Sequence, residues 1–196
     1  MINQIKTVTI YGASSSQIDI KYLKIAGELG RLLALNQINC ITGGGSEGMM
    51  GAVANGVLQS EGKITGIIPQ FMIDEGWGNN ALSEIIITKD MHERKLLMAE
   101  KSDACIALPG GIGTMEELME IITWRQLSLY NKPVVILNID GYYDPLLSML
   151  KKAIDEKFMH PKNQETWSIA YSPQEVLSEF ALQSNSNFNM RSIAAM

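Results

Sequence analysis

The sequence predicts an α/β fold, a Rossmann-like, doubly wound parallel sheet with helices on both faces. Three observations carry that expectation. Short β-branched apolar runs alternate with helix-length periodic segments along the whole chain, several of these runs end in glycine-rich loops, and the runs read as strands buried on both sides.

The alternation starts with a strand at Thr7–Tyr11, which ends in Gly12-Ala13-Ser14-Ser15-Ser16 and leads to a helix over Ile20–Leu35. A second unit follows: strand Asn39–Thr42, loop 43–48 and helix 49–61. Strand 64–68 is closed by Pro69, and residues 70–83, with Gly76, Gly78, Asn79 and Asn80 around Trp77, read as an irregular, mobile loop over a site. After strand Glu84–Thr88, Asp90 caps a helix over 91–101, with Glu93 completing a capping-box pattern. Strand 104–108 runs straight into Pro109-Gly110-Gly111. A helix over 114–129, strand 133–137, helix 145–158, a short strand over 167–171 and a capped helix from Ser172 complete the series.

The 196 residues are 46% hydrophobic and 19% charged, enough to bury about 70% of the unfolded surface in one core. We therefore expect a single domain over 1–182 and a frayed Ser/Asn-rich tail over 183–196. A net charge of −5 argues against a basic nucleic-acid face. Cys40 and Cys105 lie inside apolar runs with no metal spacing, as reduced core thiols do. The N-terminal residues lack a signal-peptide pattern, and no apolar run approaches the ~18 residues a membrane helix needs, so a cytoplasmic protein without membrane partners is expected.

In an open parallel sheet the ligand sits beyond the carboxyl ends of the strands, which directs attention to the loops there. Gly43-Gly44-Gly45-Ser46-Glu47-Gly48 matches GxGxxG, a pattern that lets backbone amides approach a phosphate. It follows the second strand, not the first, which counts against a nicotinamide dinucleotide, and a tight turn with close helix packing explains it equally well. Gly110-Gly111-Ile112-Gly113-Thr114 reads as an anion cradle between a buried strand and a helix. Thr114 either donates its hydroxyl to the same anion or caps the helix, with Glu117 closing a capping box. Arg94 and Lys95 stand near a helix N-terminus, where cations are unfavourable, so they either serve an anion or form a solvated surface. Glu116, Glu120 and Thr123 share a helical face with Glu117 at its boundary, and a carboxylate there can stabilise an oxocarbenium-like sugar or orient water. With His92 and His160 as the two histidines and no array of ligands, no metal site is expected.

Gly110-Gly111-Ile112-Gly113-Thr114-Met115-Glu116-Glu117, preceded by Met91-His92-Glu93-Arg94-Lys95, resembles the PGGxGTxxE signature of the LONELY GUY family of cytokinin riboside 5′-monophosphate phosphoribohydrolases. The likeness extends to Gly43-Gly44-Gly45 with Gly48 and Gly51, to Ile121-Ile122-Thr123-Trp124 and to Asn138-Ile139-Asp140-Gly141-Tyr142-Tyr143. It implies a Rossmann-like homodimer that, without a cofactor, hydrolyses the N-glycosidic bond of purine (cytokinin or AMP-type) nucleoside 5′-monophosphates to free base and ribose 5-phosphate. By matching positions, Arg94 and Glu117 would be catalytic. Gly110, Gly111, Gly113 and Thr114 would hold the phosphate, with Lys95, Glu116 and Thr123 nearby and Gly43, Gly44 and Gly45 in the same substrate-binding set. Relatives often carry the label lysine decarboxylase, but the sequence has no motif for a pyridoxal phosphate Schiff-base lysine. The rival from another class is a non-catalytic nucleotide-binding or carrier module of the same fold, and an NAD-linked oxidoreductase stands third.

Overall fold

Successive strand residues point to opposite faces of a sheet, and here both faces are apolar. In the computed structural model, which describes residues 5–184, Val8 and Ile10 of β1 (Thr7–Tyr11) enter one core layer and Tyr11 the other. The same division runs through β2 (Asn39–Thr42), with Cys40 on one side and Ile41 on the other, and through β5 (Ala104–Ala107), where Ala104 and Ile106 oppose Cys105 and Ala107. Strands β3 (Ile64–Pro69), β4 (Glu84–Thr88), β6 (Val134–Leu137) and β7 (Ser168–Ala170) complete a seven-stranded sheet ordered β4-β3-β2-β1-β5-β6-β7, every pair parallel.

Each face is covered by its own helices, as parallel crossovers require. Helices α1 (Ile20–Leu35), α2 (Gly48–Gln59) and α7 (Pro173–Ser184) close one side through Leu29, Leu33, Val53, Val57, Val176 and Phe180. Helices α4 (Met91–Glu100), α5 (Ile112–Gln126) and α6 (Asp144–Asp155) close the other through Met98, Leu118, Ile121, Ile122 and the half-buried Leu146 and Leu147. The doubly wound Rossmann-like fold read from the sequence is therefore the observed one. Cys40 and Cys105 are both buried and free, and among the described residues no helix is long and apolar enough to cross a membrane.

Residues 70–83 depart from the expected irregular loop. They begin with a short helix, α3 (Gln70–Asp74), tied by Gln70 Nε2 donating to Asp74 Oδ1 at 2.8 Å. The remainder is pinned to the second glycine-rich loop. Gly78 bridges Gly45, and the Asn79 amide donates to the Gly44 carbonyl at 2.8 Å. Asn79 also accepts from the Ala81 amide at 3.0 Å, an Asx turn that periodicity does not reveal. The expected Asp90 cap is present, accepting from the Glu93 amide at 2.8 Å, while the Glu93 carboxylate reaches one residue further back than a capping box requires and accepts from the Lys89 amide at 2.8 Å. The tail expected over 183–196 lies outside the described residues from 185 onward; the helix itself continues to Ser184.

Candidate active site

The strand order reverses between β1 and β5: the chain builds outward from β1 to β4, then crosses back to place β5 on β1's other side. Connections from the two strands leave in opposite directions there, opening a crevice at their carboxyl ends. A cavity of about 400 Å³ occupies that position. Its walls are Gly12 to Ser15 after β1, Gly111 to Thr114 at the start of α5, Arg94 of α4, Glu116 and Glu117 of α5, and three methionines, Met50, Met72 and Met91.

Helix α5 points its N-terminus into this crevice. Its first main-chain bond within the helix runs from the Met115 amide to the Gly111 carbonyl at 3.0 Å, so the amides of Ile112, Gly113 and Thr114 precede the ladder. They carry the positive end of the helix dipole, a setting for a phosphate. The N-cap is Gly111, in extended conformation and without a side-chain cap, which rules out Thr114 as the cap of this helix. Thr114 is an inner residue of the first turn, buried beneath Gly110, where any Cβ would stand 2.1 Å from the threonine Oγ1. No Thr114–Glu117 capping box forms, because Glu117 faces α4 instead.

Arg94 and Glu117 meet across the crevice floor. Arg94 is 7% exposed; its Nε donates to the Ile67 carbonyl at 3.1 Å, its Nη2 to the Gly43 carbonyl at 3.4 Å, and its Nη1 to Met91 Sδ at 3.4 Å. These bonds fix the guanidinium with its Nη2 3.8 Å from Glu117 Oε1. Gly43 makes the arrangement possible, since a Cβ there would lie 1.8 Å from Arg94 Nη2. Burial pushes the Glu117 carboxyl up from 4.5 to about 7; Arg94 pulls it down, Glu116 pushes it up, Lys95 pulls it down and Glu120 pushes it up. Desolvation outweighs the cation. A carboxyl balanced near neutrality, beside a fixed cation and an anion cradle, can stabilise developing positive charge or take a proton from water.

The other residues singled out in the sequence divide. Lys95 is buried one residue along from Arg94, yet it does not line the crevice: its amine bonds to Glu116 and, at 3.1 Å, to Glu120. Burial works to lower its pKa, but these two carboxylates prevail and raise it. Thr123 is exposed two turns further on, its hydroxyl donating to the Met119 carbonyl at 2.7 Å. Gly43 and Gly45 line an adjoining compartment of about 500 Å³, while Gly44 packs behind them against Ile68. Met50, Met72 and Ser14 border both spaces, and Gly76 and Trp77 close the second, so the pinned segment after α3 forms its outer wall.

Sequence reasoning missed Gly12, Ala13, Ser14 and Ser15 as crevice residues, although a small-residue loop after the first strand was the signal that could have found them. It also missed the methionines, which periodicity cannot distinguish from core residues.

Comparison with known proteins is consistent with this geometry. A family model described as "Possible lysine decarboxylase" matches residues 50–180. The cytokinin riboside 5′-monophosphate phosphoribohydrolase LOG5 of Arabidopsis thaliana is 40% identical over 177 residues, covering 90% of this chain and 78% of its own. A molybdenum cofactor binding protein from Rippkaea orientalis is 27% identical, with a TM-score of 0.66 over 91% of this chain and 94% of its own. The molybdenum cofactor carrier protein of Chlamydomonas reinhardtii, 20% identical with a TM-score of 0.69 over 92% and 98%, shares the fold. A decarboxylase chemistry that forms a Schiff base on lysine does not fit the crevice, because the neighbouring amine, that of Lys95, is enclosed by Glu116 and Glu120.

Proposed function

Since the chain belongs to the LONELY GUY family of cytokinin riboside 5′-monophosphate phosphoribohydrolases, we propose that its crevice binds a purine nucleoside 5′-monophosphate across the β1–β5 switch point and cleaves its N-glycosidic bond there. The phosphate lies at the α5 N-terminus, on the amides of the Gly110–Thr114 segment. The ribose lies over Glu117, and the base extends between Met50 and Met72 toward Trp77. The observation that carries this reading is the buried Arg94–Glu117 pair, 3.8 Å apart, directly beside an anion cradle.

Breaking the bond leaves positive charge on C1′ and the ribose ring oxygen and negative charge on the base. The ionised Glu117 carboxylate favours the cationic sugar over the neutral ground state and orients the water that adds its hydroxyl to C1′, while the water's proton balances the departing base. Arg94 and Glu117 are themselves buried at the crevice floor, which strengthens both interactions. Arg94 holds the carboxylate in place and keeps a fraction of it ionised near neutrality. Lys95 acts one step back, through Glu116 and Glu120. Thr123 and Gly44 lie outside the crevice, the one bonded to its own helix and the other packed against Ile68.

The same reading takes the enzyme as a cytoplasmic homodimer that needs neither metal nor cofactor and has no nucleic-acid partner. Support for pairing comes from α4 and the segment at and after the end of α5, where exposed Leu96 and Leu129 line a hollow with Trp124 and Tyr130. Sedimentation at micromolar protein should give twice the 21.6 kDa chain mass. The decisive experiment follows free base released from AMP and from isopentenyladenosine monophosphate, with Glu117→Ala alongside. Release by wild type and not by the variant supports the hydrolase, and the rate ratio names its preferred base. Tight AMP binding without release would instead mark a carrier like the molybdenum cofactor proteins that share its fold.

A further inference from the structure

The loop that forms the cradle contains a Gly110-Gly111 pair, whose peptide planes are free to rotate unless something holds them. Three successive carbonyls of this loop accept hydrogen bonds from outside it. Tyr143 Oη donates to the Leu108 carbonyl at 2.6 Å, the Ala13 amide to the Pro109 carbonyl at 3.1 Å, and Tyr142 Oη to the Gly110 carbonyl at 2.7 Å. In a trans peptide the carbonyl and the next amide point in opposite directions. Holding the Pro109 and Gly110 carbonyls therefore aims the Gly110 and Gly111 amides the other way, and Gly111 lines the crevice.

The turn that delivers the two tyrosines is built for this placement. It follows β6 and passes through two consecutive left-handed residues, Asp140 (φ 50°) and Gly141 (φ 71°). Such a conformation is unfavourable at a residue with a side chain and persists only where its surroundings enforce it. Lys21 of α1 bonds Asp140 at 2.7 Å. Asn138 accepts from the Tyr143 amide at 2.8 Å and donates to Asp144 at 2.7 Å. Tyr142 is further held edge-on between Tyr143, at 5.2 Å between ring centroids, and Tyr22 of α1, at 6.2 Å.

We propose that Tyr142 is a positioning residue for the phosphate, fixing the Gly110–Gly111 peptide plane so that the Gly111 amide faces the ligand before it arrives; Tyr143 holds the Leu108–Pro109 plane, whose proline nitrogen has no hydrogen to offer, and so anchors the loop without aiming an amide. The inference rests on the placement of the phosphate given above. Neither hydroxyl lines the crevice, so Tyr142 acts through the loop and is selective for the phosphorylated end of the substrate.

Tyr142→Phe tests this, since it removes one oxygen from a side chain 38% exposed and leaves the ring packing in place. Binding of ribose 5-phosphate and of adenosine is measured by calorimetry for wild type and variant, together with KM and kcat for AMP. The expected result is an unchanged melting temperature, ribose 5-phosphate affinity and KM for AMP each weakened about tenfold, the effect of one hydrogen bond, and adenosine affinity and kcat unchanged. Tyr143→Phe, at a buried position on the plane that carries no amide hydrogen, should lower the melting temperature and weaken ribose 5-phosphate less than Tyr142→Phe does. Equal weakening of ribose 5-phosphate and adenosine, unchanged ribose 5-phosphate affinity in Tyr142→Phe, or no binding of ribose 5-phosphate to wild type would each overturn the proposal. Failure of the hydrolase reading appears separately, as wild type that binds ribose 5-phosphate but releases no base.

Discussion

Glu117→Gln keeps the shape of the side chain and removes its charge, separating what the carboxylate does for turnover from what it does to stability. Burial pushes this carboxyl from 4.5 to about 7 even though Arg94 pulls it down. A folded-state pKa above the unfolded value means that the folded chain holds the proton more tightly. The associated stability is complete below pH 4.5 and is lost as pH rises through about 7. Across that interval, at about 1.4 kcal/mol per pH unit, wild type gives up about 3 kcal/mol, a sizeable part of the 5–15 kcal/mol that typically holds a domain together. The amide does not titrate. The difference in unfolding free energy should therefore shift by about 3 kcal/mol in the variant's favour between pH 4.5 and pH 8, while AMP turnover falls by roughly a thousandfold or more. Urea denaturation at four pH values in that range, with turnover measured on the same samples, reads both quantities. A stability difference that stays flat with pH would refute the claim that desolvation outweighs the Arg94 ion pair.

If ionised Glu117 is the working form, log kcat/KM should fall by about one decade per pH unit below about pH 7 and level off above it, whereas an acid limb near 4.5 would mean a solvated carboxyl. Gly43→Ala should lower kcat for AMP by about a hundredfold with little change in KM, because the new methyl would stand 1.8 Å from Arg94 Nη2 and displace the guanidinium from Glu117. Lys95→Met leaves Glu116 and Glu120 without their cation and should move the acid limb of kcat/KM to higher pH, with KM for AMP within about twofold; a KM raised about tenfold or more would instead place the amine on the phosphate.

The strand-loop-helix alternation was legible because it is written in local spacing: short continuous apolar runs in strands buried on both faces, and apolar residues every third or fourth position in helices. Helix starts were legible where side chains make them, as at Asp90 with Glu93. At α5 the start is made by the backbone of Gly111, and Thr114, a residue type that favours caps, lies three residues beyond that N-cap. Residues 70–83 were read as irregular because five helical residues are too few to establish a period, and the bridge of Gly78 to Gly45 joins segments 33 positions apart.

Arg94 and Glu117 could be singled out from the sequence as charged groups near glycine-rich helix starts, and the family motif gave each a role. What tertiary structure decided is how they differ from their neighbours. Arg94 and Lys95 are adjacent cations in one helical turn, but the strand order sets Arg94 against the carbonyls of Ile67 and Gly43 while Lys95 turns to Glu116 and Glu120. Glu116 and Glu117 are adjacent carboxylates; one remains half exposed, and the other is buried with its pKa near neutrality. The sequence by itself determined which chemical groups are available and which elements carry them. Charge state and aim depend on desolvation and on partners such as Gly43 and Tyr142, which lie 51 residues from Arg94 and 32 from Gly110 and meet them only when the sheet has formed.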